Sequence, residues 1–350
     1  MKETISHIAE RVTAAASTKQ PLSLRCGGSK DFYGNPAMGE TLDISSLSGV
    51  SSYEASELYI TAGAATPLAE IETLLAENQQ MLAFEPPHFG ETATIGGTLA
   101  CGFSGPRRPA AGALRDHVLG VGMINGAGEV LRFGGTVLKN VAGFDVSRLM
   151  AGSLGTLGII TDVTFRVTPK PEAELTTVME CDEMIAIDST NRLLAQGSPI
   201  TASVWHDNLL WRRFAGGTEA VQRAVSEVGG DIEDKATAFW QSVREQTHPF
   251  FVGNNNLWRT MVPATMPVAA GDELIEWHGA VRWQRGSAKS AQEAAAKAGG
   301  SATLFRTTQS ETTERFPPLA PPIAKIHRNL KKAFDPHDIL NRGRMYDFSS

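Results

Sequence analysis

Glycine is concentrated in two segments of the first half of the chain. Residues 92–105 read TATIGGTLACGFSG, and residues 152–161 read GSLGTLGIIT. Glycine weakens regular structure by about 0.5–1 kcal/mol per site, but it lets the backbone approach a ligand closely. The residues between the two segments alternate between apolar and polar, as strands do. Each glycine alone is typical of a tight turn, but together they predict a ligand that lies flat against the backbone.

A third glycine segment precedes these two and follows a short apolar strand predicted at residues 21–25. It reads Cys26-Gly27-Gly28-Ser29-Lys30. Successive glycines followed by a serine offer backbone N–H groups and a hydroxyl to an anion, and concave backbone of this kind binds phosphate well. The lysine could add positive charge there, although a solvated surface lysine is the more usual case. The segment predicts a phosphate-binding loop.

The composition limits the class of protein. A length of 350 residues favours two domains, and the 42% hydrophobic content can fill ordinary cores. Lys and Arg number 32 against 38 acidic residues, so the net charge is −6, which disfavours a general nucleic-acid binder. No run of about 18 apolar residues is present, so a membrane-spanning helix is not expected.

The N-terminus and the cysteines indicate a reducing compartment. Residues 1–8 include a glutamate and lack the apolar centre of a signal peptide, and they read as the start of an amphipathic helix. The three cysteines, Cys26, Cys101 and Cys181, are odd in number and far apart, which argues against a disulfide framework. A cytoplasmic location is predicted, with peripheral attachment to the inner face of the membrane through partner subunits as an option.

Several common motifs are absent from the sequence. Gly126 and Gly128 suggest a dinucleotide loop, but Leu131 stands at the third glycine position and a strand follows instead of a helix. No GxxxxGK[ST] sequence is present, so a P-loop is excluded. Residues 102–105 read GFSG rather than GxSxG, so a hydrolase nucleophile elbow is not supported. The sequence has no CxxC pair, so a zinc site or an iron–sulfur cluster in this chain is not expected.

Local patterns predict strands and helices in alternation. An Asn-Gly pair predicts a hairpin between strands at residues 118–124 and 129–133. Thr66 and Pro67 predict the N-cap and the first residue of a helix. Farther along the chain, one long strand is predicted at residues 274–283. A late helix is predicted at 322–334, with four apolar side chains turned inwards: Ile323, Ile326, Leu330 and Phe334.

The glycine segments together resemble the FAD-binding half of the flavoprotein oxidases related to vanillyl-alcohol oxidase and p-cresol methylhydroxylase (PCMH). The resemblance covers nearly the whole chain, including FDPHDILNRG at residues 334–343. Within that group the chain resembles the smaller, FAD-binding subunits of bacterial glycolate dehydrogenase (glycolate oxidase). The resemblance implies an α+β fold with a PCMH-type FAD-binding domain and a cap of antiparallel strands and helices. The Pro-Lys-Pro sequence is the expected boundary, which gives domains at 1–171 and 172–330 and a C-terminal segment, 331–350, that returns to the FAD domain.

The resemblance also implies which residues bind the cofactor. In covalent relatives a histidine near the end of the glycine loop holds the flavin, and Ser29 and Lys30 occupy those places here, so noncovalent FAD is expected. Cys101 does not match the cysteine of cysteine-linked relatives. The residues implied to contact FAD are Cys26, Gly27, Gly28, Ser29, Lys30, Pro86, Pro87, Thr94, Ile95, Gly96, Gly97, Gly102, Ser104, Gly105, Asp116, Val118, Gly158, Ile159 and Ile160.

Oxidation of a 2-hydroxy acid needs a cation for the carboxylate and a base for the hydroxyl proton. On an alternating strand, Glu276, His278 and Arg282 would share one face, which makes His278 a candidate base and Arg282 a candidate clamp. The same pattern equally describes a half-buried strand. Arg342 lies in the C-terminal segment that the resemblance returns to the flavin, and salt bridging is its other reading. Larger relatives carry a histidine-rich metal motif that this chain lacks, so no metal site is expected.

The function implied by the resemblance is the FAD-binding subunit of a complex that oxidises glycolate to glyoxylate and passes electrons to an acceptor other than NAD. The implied partners are a larger FAD-containing subunit and an iron–sulfur subunit, with glycolate as the small substrate and no nucleic acid. Two alternatives stay open. One is a stand-alone FAD-dependent dehydrogenase of another small 2-hydroxy acid or alcohol. The other is a non-catalytic flavin-bearing scaffold or electron relay.

Overall fold

The computed structural model describes residues 2–136, 145–253, 256–267, 273–286, 288–308 and 315–348. The first part of the chain contains nine strands among these residues: β1 (Leu22–Arg25), β2 (Glu40–Asp43), β3 (Val50–Glu54), β4 (Tyr59–Gly63), β5 (Gln80–Met81), β6 (Val118–Ile124), β7 (Val130–Gly134), β8 (Ile159–Arg166) and β9 (Thr168–Pro169). Its described helices are α1 (Lys2–Thr18), α2 (Leu68–Glu77), α3 (Ile95–Cys101), α4 (Arg108–Ala111) and α5 (Val146–Leu149), with a 3-10 turn at Leu114–His117.

An antiparallel sheet organises this first part, in the strand order β3-β4-β8-β6-β7. Its core joins strand residues such as Val163 to α2 and α3, where Ile71 and Leu99 are fully buried. Burying one such side chain completely stabilises the fold by about 1.5–3 kcal/mol. A second core cluster joins Val12 of α1 to Leu42 of β2, which pairs in parallel with β1. β5 and β9 form a short pair at the end of this part.

Several predicted elements of the first part are confirmed. The N-terminal helix exists and buries Ile8 and Val12 on one face. The predicted hairpin is the antiparallel pair β6–β7. The short helix α5 begins after Asp145, whose carboxylate accepts the backbone N–H of Arg148 at 3.2 Å. Local sequence alone specifies these elements, because their signals are an amphipathic period, an Asn-Gly turn and an N-cap.

The predicted N-cap of α2 is wrong. The helix begins at Leu68, and Pro67 stands at its N-cap without a side-chain hydrogen bond. Thr66 instead donates from Oγ1 to the carbonyl oxygen of Gly63 at 2.7 Å and accepts the N–H of Gly49 at 2.9 Å. Its hydroxyl therefore fastens the turn after β4 rather than capping the helix.

The second part of the chain contains eight strands among the described residues: β10 (Ala173–Glu180), β11 (Ile200–His206), β12 (Leu209–Gly216), β13 (Asp231–Ile232), β14 (Leu257–Met261), β15 (Glu273–Glu276), β16 (Val281–Arg285) and β17 (Ser301–Arg306). Its described helices are α6 (Glu183–Ala195), α7 (Thr218–Val228), α8 (Ala236–Arg244), α9 (Ala288–Lys297) and α10 (Pro321–Phe334), with 3-10 turns at Pro249–Phe251 and Trp277–Gly279. None of the helices described is long and apolar enough to cross a membrane.

All eight strands join one antiparallel sheet, the cap sheet, in the order β13-β10-β12-β11-β15-β16-β14-β17. Side chains alternate between its two faces. Val204, Leu274 and Trp283 lie on the inner face and share a hydrophobic cluster with Phe103 of the first part. Trp258 lies on the outer face and packs in a cluster with Ala291 of α9. The inner face is therefore the one that closes over the glycine segments.

An ion-pair network also fastens the cap sheet to the first part. The Glu85 carboxylate accepts hydrogen bonds from Arg107 at 3.2 Å and from Arg213 of β12 at 2.8 Å. Arg107 also donates to Glu174 of β10 at 2.6 Å. Burial acts to raise the pKa of Glu85, but the two guanidinium groups outweigh it and the pKa is lowered. The carboxylate therefore stays charged between the two parts.

The prediction of one strand over residues 274–283 is wrong. The structure has two strands, β15 and β16, separated by the 3-10 turn Trp277–Gly279. Trp277 and His278 have φ of 54° and 57°, in the left-handed region. Such a conformation costs of the order of 1–3 kcal/mol for a residue other than glycine, and it is found where surrounding structure imposes it.

The prediction for the late helix is right about its existence and wrong about two of its side chains. α10 is present at Pro321–Phe334, but Ile323 and Ile326 are 45% and 53% exposed. Leu330 and Phe334 are half-buried. Lys331, although charged, is buried: its ammonium donates to the Thr156 carbonyl and pairs with Asp335 at 2.7 Å. The helix is therefore held to the first part by its C-terminal turns.

Candidate active site

The glycine loop after β1 lies directly against the segment at residues 92–105. A Cβ atom on Gly27 would lie 1.7 Å from the carbonyl oxygen of Thr92, so only glycine fits there. Gly28 has φ of 77°, a left-handed conformation that glycine adopts without strain. The backbone N–H groups of Gly28 and Ser29 donate no hydrogen bond to any residue that the structure describes. Two donors are therefore available in a concave loop, as an anion site requires.

An open cleft runs along this loop, and we call it the glycine-loop cleft. It encloses about 880 Å³ when the open space at its mouth is counted. Asn341 joins two of its walls: Oδ1 accepts the N–H of Leu24 and Nδ2 donates to the carbonyl of Leu154, both at 2.7 Å. The C-terminal residues thus complete the cleft.

Three cations line the glycine-loop cleft, and one of them, Arg25, is paired with Asp31 at 3.3 Å. Lys30 is buried and donates to the carbonyl of His88 at 3.1 Å, and burial lowers its pKa. Arg344 donates to the carbonyls of Asn35 and Asp31 at 3.0 and 3.1 Å, and burial lowers its pKa too. Because these hydrogen bonds run to neutral carbonyls, both charges can serve an anionic ligand. The free N–H groups, the fitted glycines and these two cations suit a phosphate-bearing cofactor.

The structure brings only part of the predicted cofactor residues together. Those that line the glycine-loop cleft are Cys26, Gly27, Gly28, Ser29, Lys30, Thr94 and Gly97. A second, smaller cavity is lined by Pro87, Ser104 and Gly105. The others line neither cavity: Pro86, Ile95, Gly96, Gly102, Asp116, Val118, Gly158, Ile159 and Ile160.

Residues of this last group have packing partners in the first part. A Cβ atom on Gly96 would lie 2.5 Å from that of Ala64, and one on Gly158 would lie 2.1 Å from Met123 Cε. The Asp116 carboxylate accepts the backbone N–H of Ala113 at 2.9 Å. These contacts account for the residue types without a ligand, and contacts of these residues with a cofactor stay a prediction.

The smaller cavity lies where the glycine segment meets the inner face of the cap sheet, and we call it the interdomain cavity. Its volume is about 340 Å³, counting open space. The Trp277 indole donates to the carbonyl of Gly105 at 3.2 Å across the boundary. Glu276 and Arg259 line the cavity from the cap side, and Phe103 lines it from the other. The left-handed turn after β15 is what presents Trp277 to the glycine segment.

Glu276 and Arg259 are a carboxylate and a guanidinium in an aromatic environment. Glu276 is 6% exposed, and its Oε2 accepts a short hydrogen bond from the Trp283 indole. The Arg259 guanidinium lies 4.7 Å from the ring centre of Trp277 and 5.7 Å from that of Trp283, and its buried Nε has no hydrogen-bond partner in the described residues. The arginine therefore keeps a donor for a ligand.

Burial governs the ionisation of these groups. It raises the pKa of Glu276 to about 7, although the Trp283 hydrogen bond and the Arg259 charge oppose it. It lowers the pKa of Arg259 and raises that of the Tyr33 hydroxyl, and the two groups are close enough to interact. A carboxylate whose pKa lies near neutrality can accept or donate a proton at physiological pH. The interdomain cavity thus combines a cation with a group suited to proton transfer.

The three predicted catalytic residues lie elsewhere. His278 Nδ1 is hydrogen-bonded to Ser203 Oγ at 2.8 Å, and burial lowers the histidine pKa to about 4. Arg282 donates to the carbonyl of Gly279 at 2.7 Å and occupies the strand position next to inward-facing Val281. Arg342 Nε lies 3.3 Å from the Asp338 carboxylate. None of the three lines either cavity. Glu276 pairs with inward-facing Val281, whereas Arg282 lies on the opposite face of the sheet, so the predicted shared face of Glu276 and Arg282 is wrong.

Sequence reasoning missed Arg259 and gave Arg344 no definite role. Arg259 stands in the apolar strand sequence LWRTM, on the face that also carries Trp283 through the pair Arg259↔Trp283. A charged residue at an inward-facing strand position is rare without a partner or a ligand. That signal was present in the sequence, but its meaning depended on knowing which face of the sheet is inward.

Comparisons with known proteins agree with this geometry. Residues 2–134 match the family model of an "FAD binding domain". The chain is 44% identical over 341 residues to glycolate oxidase subunit GlcE of Escherichia coli (strain K12), an alignment that covers 96% of each chain. The chain belongs to this family of glycolate oxidase subunits. It is thus an FAD-dependent oxidoreductase subunit, and the glycine-loop cleft, with its fitted glycines and free N–H groups, suits FAD.

The chain is also similar to a second glycolate oxidase subunit and to a solved structure. The chain is 35% identical over 124 residues to glycolate oxidase subunit GlcD of Bacillus subtilis (strain 168), covering 35% of this chain and 26% of that protein. A solved structure of alkyldihydroxyacetonephosphate synthase superposes with a TM-score of 0.66 at 16% identity, covering 95% of this chain and 73% of that one. The second likeness shows the fold, which confirms the α+β class with a PCMH-type FAD-binding part.

The cysteines of this glycolate oxidase subunit are free. Cys26, Cys101 and Cys181 form no disulfide with one another. Burial raises the pKa of Cys101 to about 11, although the charges of Lys30 and Arg344 act in the opposite direction. The thiol is therefore neutral at physiological pH and a poor nucleophile. Within the described ranges no group of three His, Cys, Asp or Glu side chains could hold a metal ion, and metal independence stays a prediction.

The raised pKa of Glu276 predicts a pH-dependent stability. Folding raises this pKa from 4.5 to about 7, so the folded state holds the proton more tightly than the unfolded chain. The stability from this group is complete below pH 4.5 and is lost as the pH rises to about 7. Each pKa unit corresponds to about 1.4 kcal/mol. Glu276→Gln, which stays neutral, should therefore flatten the fall in unfolding free energy over this window.

Urea unfolding at several pH values measures this effect. The matched control is Glu219→Gln, a change at an exposed glutamate of α7, which should leave the slope of unfolding free energy against pH unchanged. Equal slopes for wild type and Glu276→Gln would mean that the Glu276 carboxyl titrates alike in the folded and unfolded chain.

Proposed function

We propose that this chain is the FAD-binding subunit of a glycolate dehydrogenase complex. It would oxidise glycolate to glyoxylate and pass the electrons to a partner subunit, not to NAD. The observation that carries the proposal is that Glu276 and Arg259 line the same interdomain cavity, beside the glycine segment. A related subunit in Escherichia coli bears the name glycolate oxidase subunit GlcE, which supports glycolate as the substrate.

The chemistry assigns each residue one role. Arg259 would bind the substrate carboxylate, because the planar guanidinium matches the geometry of a carboxylate. The attraction between the two groups is stronger where water is excluded. Glu276 would accept the hydroxyl proton, because its pKa of about 7 leaves a large ionised fraction at neutral pH. FAD, when bound, would supply the acceptor for the two electrons of this oxidation. The hydroxyl proton of glycolate would go to Glu276, and glyoxylate would remain.

The lining of the interdomain cavity supports a small anionic substrate. The space there is about 340 Å³ when open space is counted. Aromatic walls from Phe89, Phe103, Trp277, Trp283 and Phe305 line it together with Glu276 and Arg259. Such walls exclude water, which strengthens the attraction between a carboxylate and Arg259. A small hydroxy acid, whose carboxylate needs a cation, suits this lining.

The glycine-loop cleft would hold the phosphates of FAD. Gly28 and Ser29 offer their N–H groups, and Lys30 and Arg344 offer positive charge. We further propose the domain division 1–171, 172–330 and 331–350. Its support is that the cap sheet begins at Ala173 and that Asn341 reaches back to β1.

The partners proposed are a larger FAD-containing subunit and an iron–sulfur subunit. Support comes from the word "subunit" in the names of the GlcE and GlcD relatives. Electrons need an exit, and a partner with iron–sulfur clusters would provide one. Attachment to the inner face of the membrane would then come through these partners.

The flavin should be bound without a covalent link. Ser29 and Lys30 end the glycine loop, and neither side chain forms the stable flavin bond that histidine does in covalent relatives. Acid precipitation of the purified chain should therefore release all of the FAD into the supernatant, where its absorbance is measured. Flavin that remains with the precipitated polypeptide would contradict this.

The test of the proposed function compares the chain alone with the assembled complex. Glycolate and an artificial electron acceptor are supplied to each, and acceptor reduction is followed. The chain alone should turn over slowly, and the complex should gain activity. Full turnover by the chain alone would favour a stand-alone dehydrogenase. A complex whose activity does not depend on the Glu276 and Arg259 side chains would favour the relay.

A further inference from the structure

The outer face of the cap sheet carries a cleft between α6 and α7, and we call it the outer cleft. Arg212 of β12 lies at its base, because its neighbour Arg213 points to the opposite face and reaches Glu85. The volume is about 1030 Å³, counting open space. Its lining shares no residue with the glycine-loop cleft or the interdomain cavity. The proposed function therefore makes no use of it.

Arg212 is a buried guanidinium that forms no ion pair with a carboxylate in the part of the chain that the structure describes. It is 2% exposed, and its Nη2 donates to the Gly229 carbonyl at 2.8 Å. Its Nε has no partner among the residues that the structure describes. Burial lowers its pKa, and the one ionisable group that acts against burial is the Cys181 thiol, not a carboxylate. A desolvated charge that lacks an opposite charge is costly, and binding an anion would relieve that cost.

A second buried polar atom without a partner lies in the same cleft. Ser198 Oγ is inaccessible to solvent and makes no hydrogen bond within the described ranges. Arg192 and Arg223 stand exposed on the α6 and α7 walls, and Glu227 is the one acidic residue among the lining. Three guanidinium groups and one carboxylate leave the outer cleft positive, on a chain whose net charge is −6. Because the outer cleft is positively charged, it should attract small anions from solution.

We propose that the outer cleft binds a small soluble anion, a carboxylate or a phosphate, whose oxygens pair with Arg212 and accept the hydroxyl of Ser198. Arg192 and Arg223 attract the anion at the mouth. Leu193 and Val228 form an apolar wall that the uncharged part of the bound anion can contact. Because the site lies across the sheet from Glu276, the anion would act on the cap rather than on the reacting atoms.

A purely structural role for Arg212 makes the opposite prediction. The Gly229 carbonyl follows the C-terminus of α7, and a cation at a helix C-terminus is stabilising. If this were the whole role of Arg212, its loss would weaken the fold whether or not an anion were present. The two roles are therefore separable by measuring stability with and without an anion.

The experiment uses the purified full chain with excess FAD, so that the glycine loop is filled. Melting temperature and isothermal titration are followed with inorganic phosphate in one arm and succinate in the other, at constant ionic strength. The variants are Arg212→Met, Arg223→Gln and, as the matched charge control, Arg328→Gln on the exposed surface of α10. The two arms distinguish a phosphate ligand from a carboxylate ligand.

The wild type should gain melting temperature saturably with one of the two anions. Arg212→Met should melt at or above the wild type in anion-free buffer, and its anion affinity should fall at least tenfold. Arg223→Gln should lose affinity by a few-fold, and Arg328→Gln should match the wild type. A lower melting temperature for Arg212→Met together with an undiminished response to both anions would overturn the proposal. So would the absence of any saturable response in the wild type. Neither result bears on glycolate turnover.

Discussion

Replacing Gly27 by alanine should abolish the retention of FAD. The added Cβ atom would lie 1.7 Å from the Thr92 carbonyl oxygen and 2.9 Å from its carbon, which are backbone atoms that cannot turn aside. The loop must therefore move away from residues 92–105, and the glycine-loop cleft loses its shape. We expect FAD binding to weaken at least ~100-fold, or about 2.8 kcal/mol.

A graded series of glycines isolates the cause. Gly28→Ala places its Cβ atom 3.2 Å from the ends of Arg25 and Asp31, so the main cost is the left-handed φ of 77°. That conformation costs roughly 1–2 kcal/mol for alanine, so partial retention is expected. Gly135→Ala meets nothing within 4 Å and should retain FAD fully. Flavin per chain after gel filtration is the measurement, with circular dichroism to verify folding.

The order of the series carries the argument. If Gly27→Ala kept a full complement of flavin while remaining folded, the loop would not be part of the cofactor site. If all three variants lost flavin equally, general instability would be the cause. Only the graded result, severe at Gly27, partial at Gly28 and absent at Gly135, matches a backbone cradle.

The glycine-loop cleft was predictable because glycine carries a local meaning. Gly27 and Gly28 indicate that the backbone approaches another group closely and takes a left-handed turn, and this indication does not depend on the rest of the chain. The β6–β7 hairpin and the N-terminal helix follow from equally local signals. Each of these elements could be placed before any contact between distant residues was known.

The interdomain cavity was not predictable in the same way. The turn at Trp277–Gly279 places two bulky residues in the left-handed region, and no local preference favours that. Contacts from distant residues accompany it: the Trp277 indole reaches Gly105 and the His278 N–H reaches Ser203. Once the strand is broken there, Glu276 faces inward and the predicted face containing Arg282 no longer exists.

Amphipathic periodicity also failed to say what covers a face. The period at Ile323 and Ile326 is helical, and α10 is a helix, yet both side chains are exposed. Periodicity reports which residues share a face, and only packing decides whether another element covers it. The burial of Lys331, with Thr156, Asp335 and Leu340 as its partners, depends likewise on contacts across the fold.

Replacing Arg259 by methionine should impair glycolate turnover by the assembled complex. Methionine keeps much of the side-chain length and its contact with the indoles of Trp277 and Trp283, but it removes the charge and the donors. Loss of a buried charged contact costs on the order of 2–4 kcal/mol, which corresponds to a drop of roughly 30–1,000-fold in kcat/KM. Arg259→Lys keeps the charge but lacks the planar guanidinium, so its kcat/KM should lie between those of the wild type and Arg259→Met.

The kinetics of Glu276→Gln should distinguish the role of Glu276 as the base from the role of Arg259 in binding the substrate carboxylate. A carboxylate with a pKa of about 7 is ionised above that pH, so wild-type kcat/KM should rise as the pH passes through about 7. The glutamine variant should be slow at every pH and should lose this rise. Its KM should change less than its kcat, whereas Arg259→Met should raise KM as well.

The earlier hypothesis from the strand pattern predicts the reverse ranking. If His278 and Arg282 were the base and the clamp, Arg282→Met would cost more than Arg259→Met at equal FAD content and equal melting temperature. The structure places Arg282 against the carbonyls of Gly279 and Met266, so we expect its loss to appear first in stability. Near wild-type turnover by both the Arg259 and the Glu276 variants in the complex would sink the proposed site, because the chain would then carry electrons without touching glycolate.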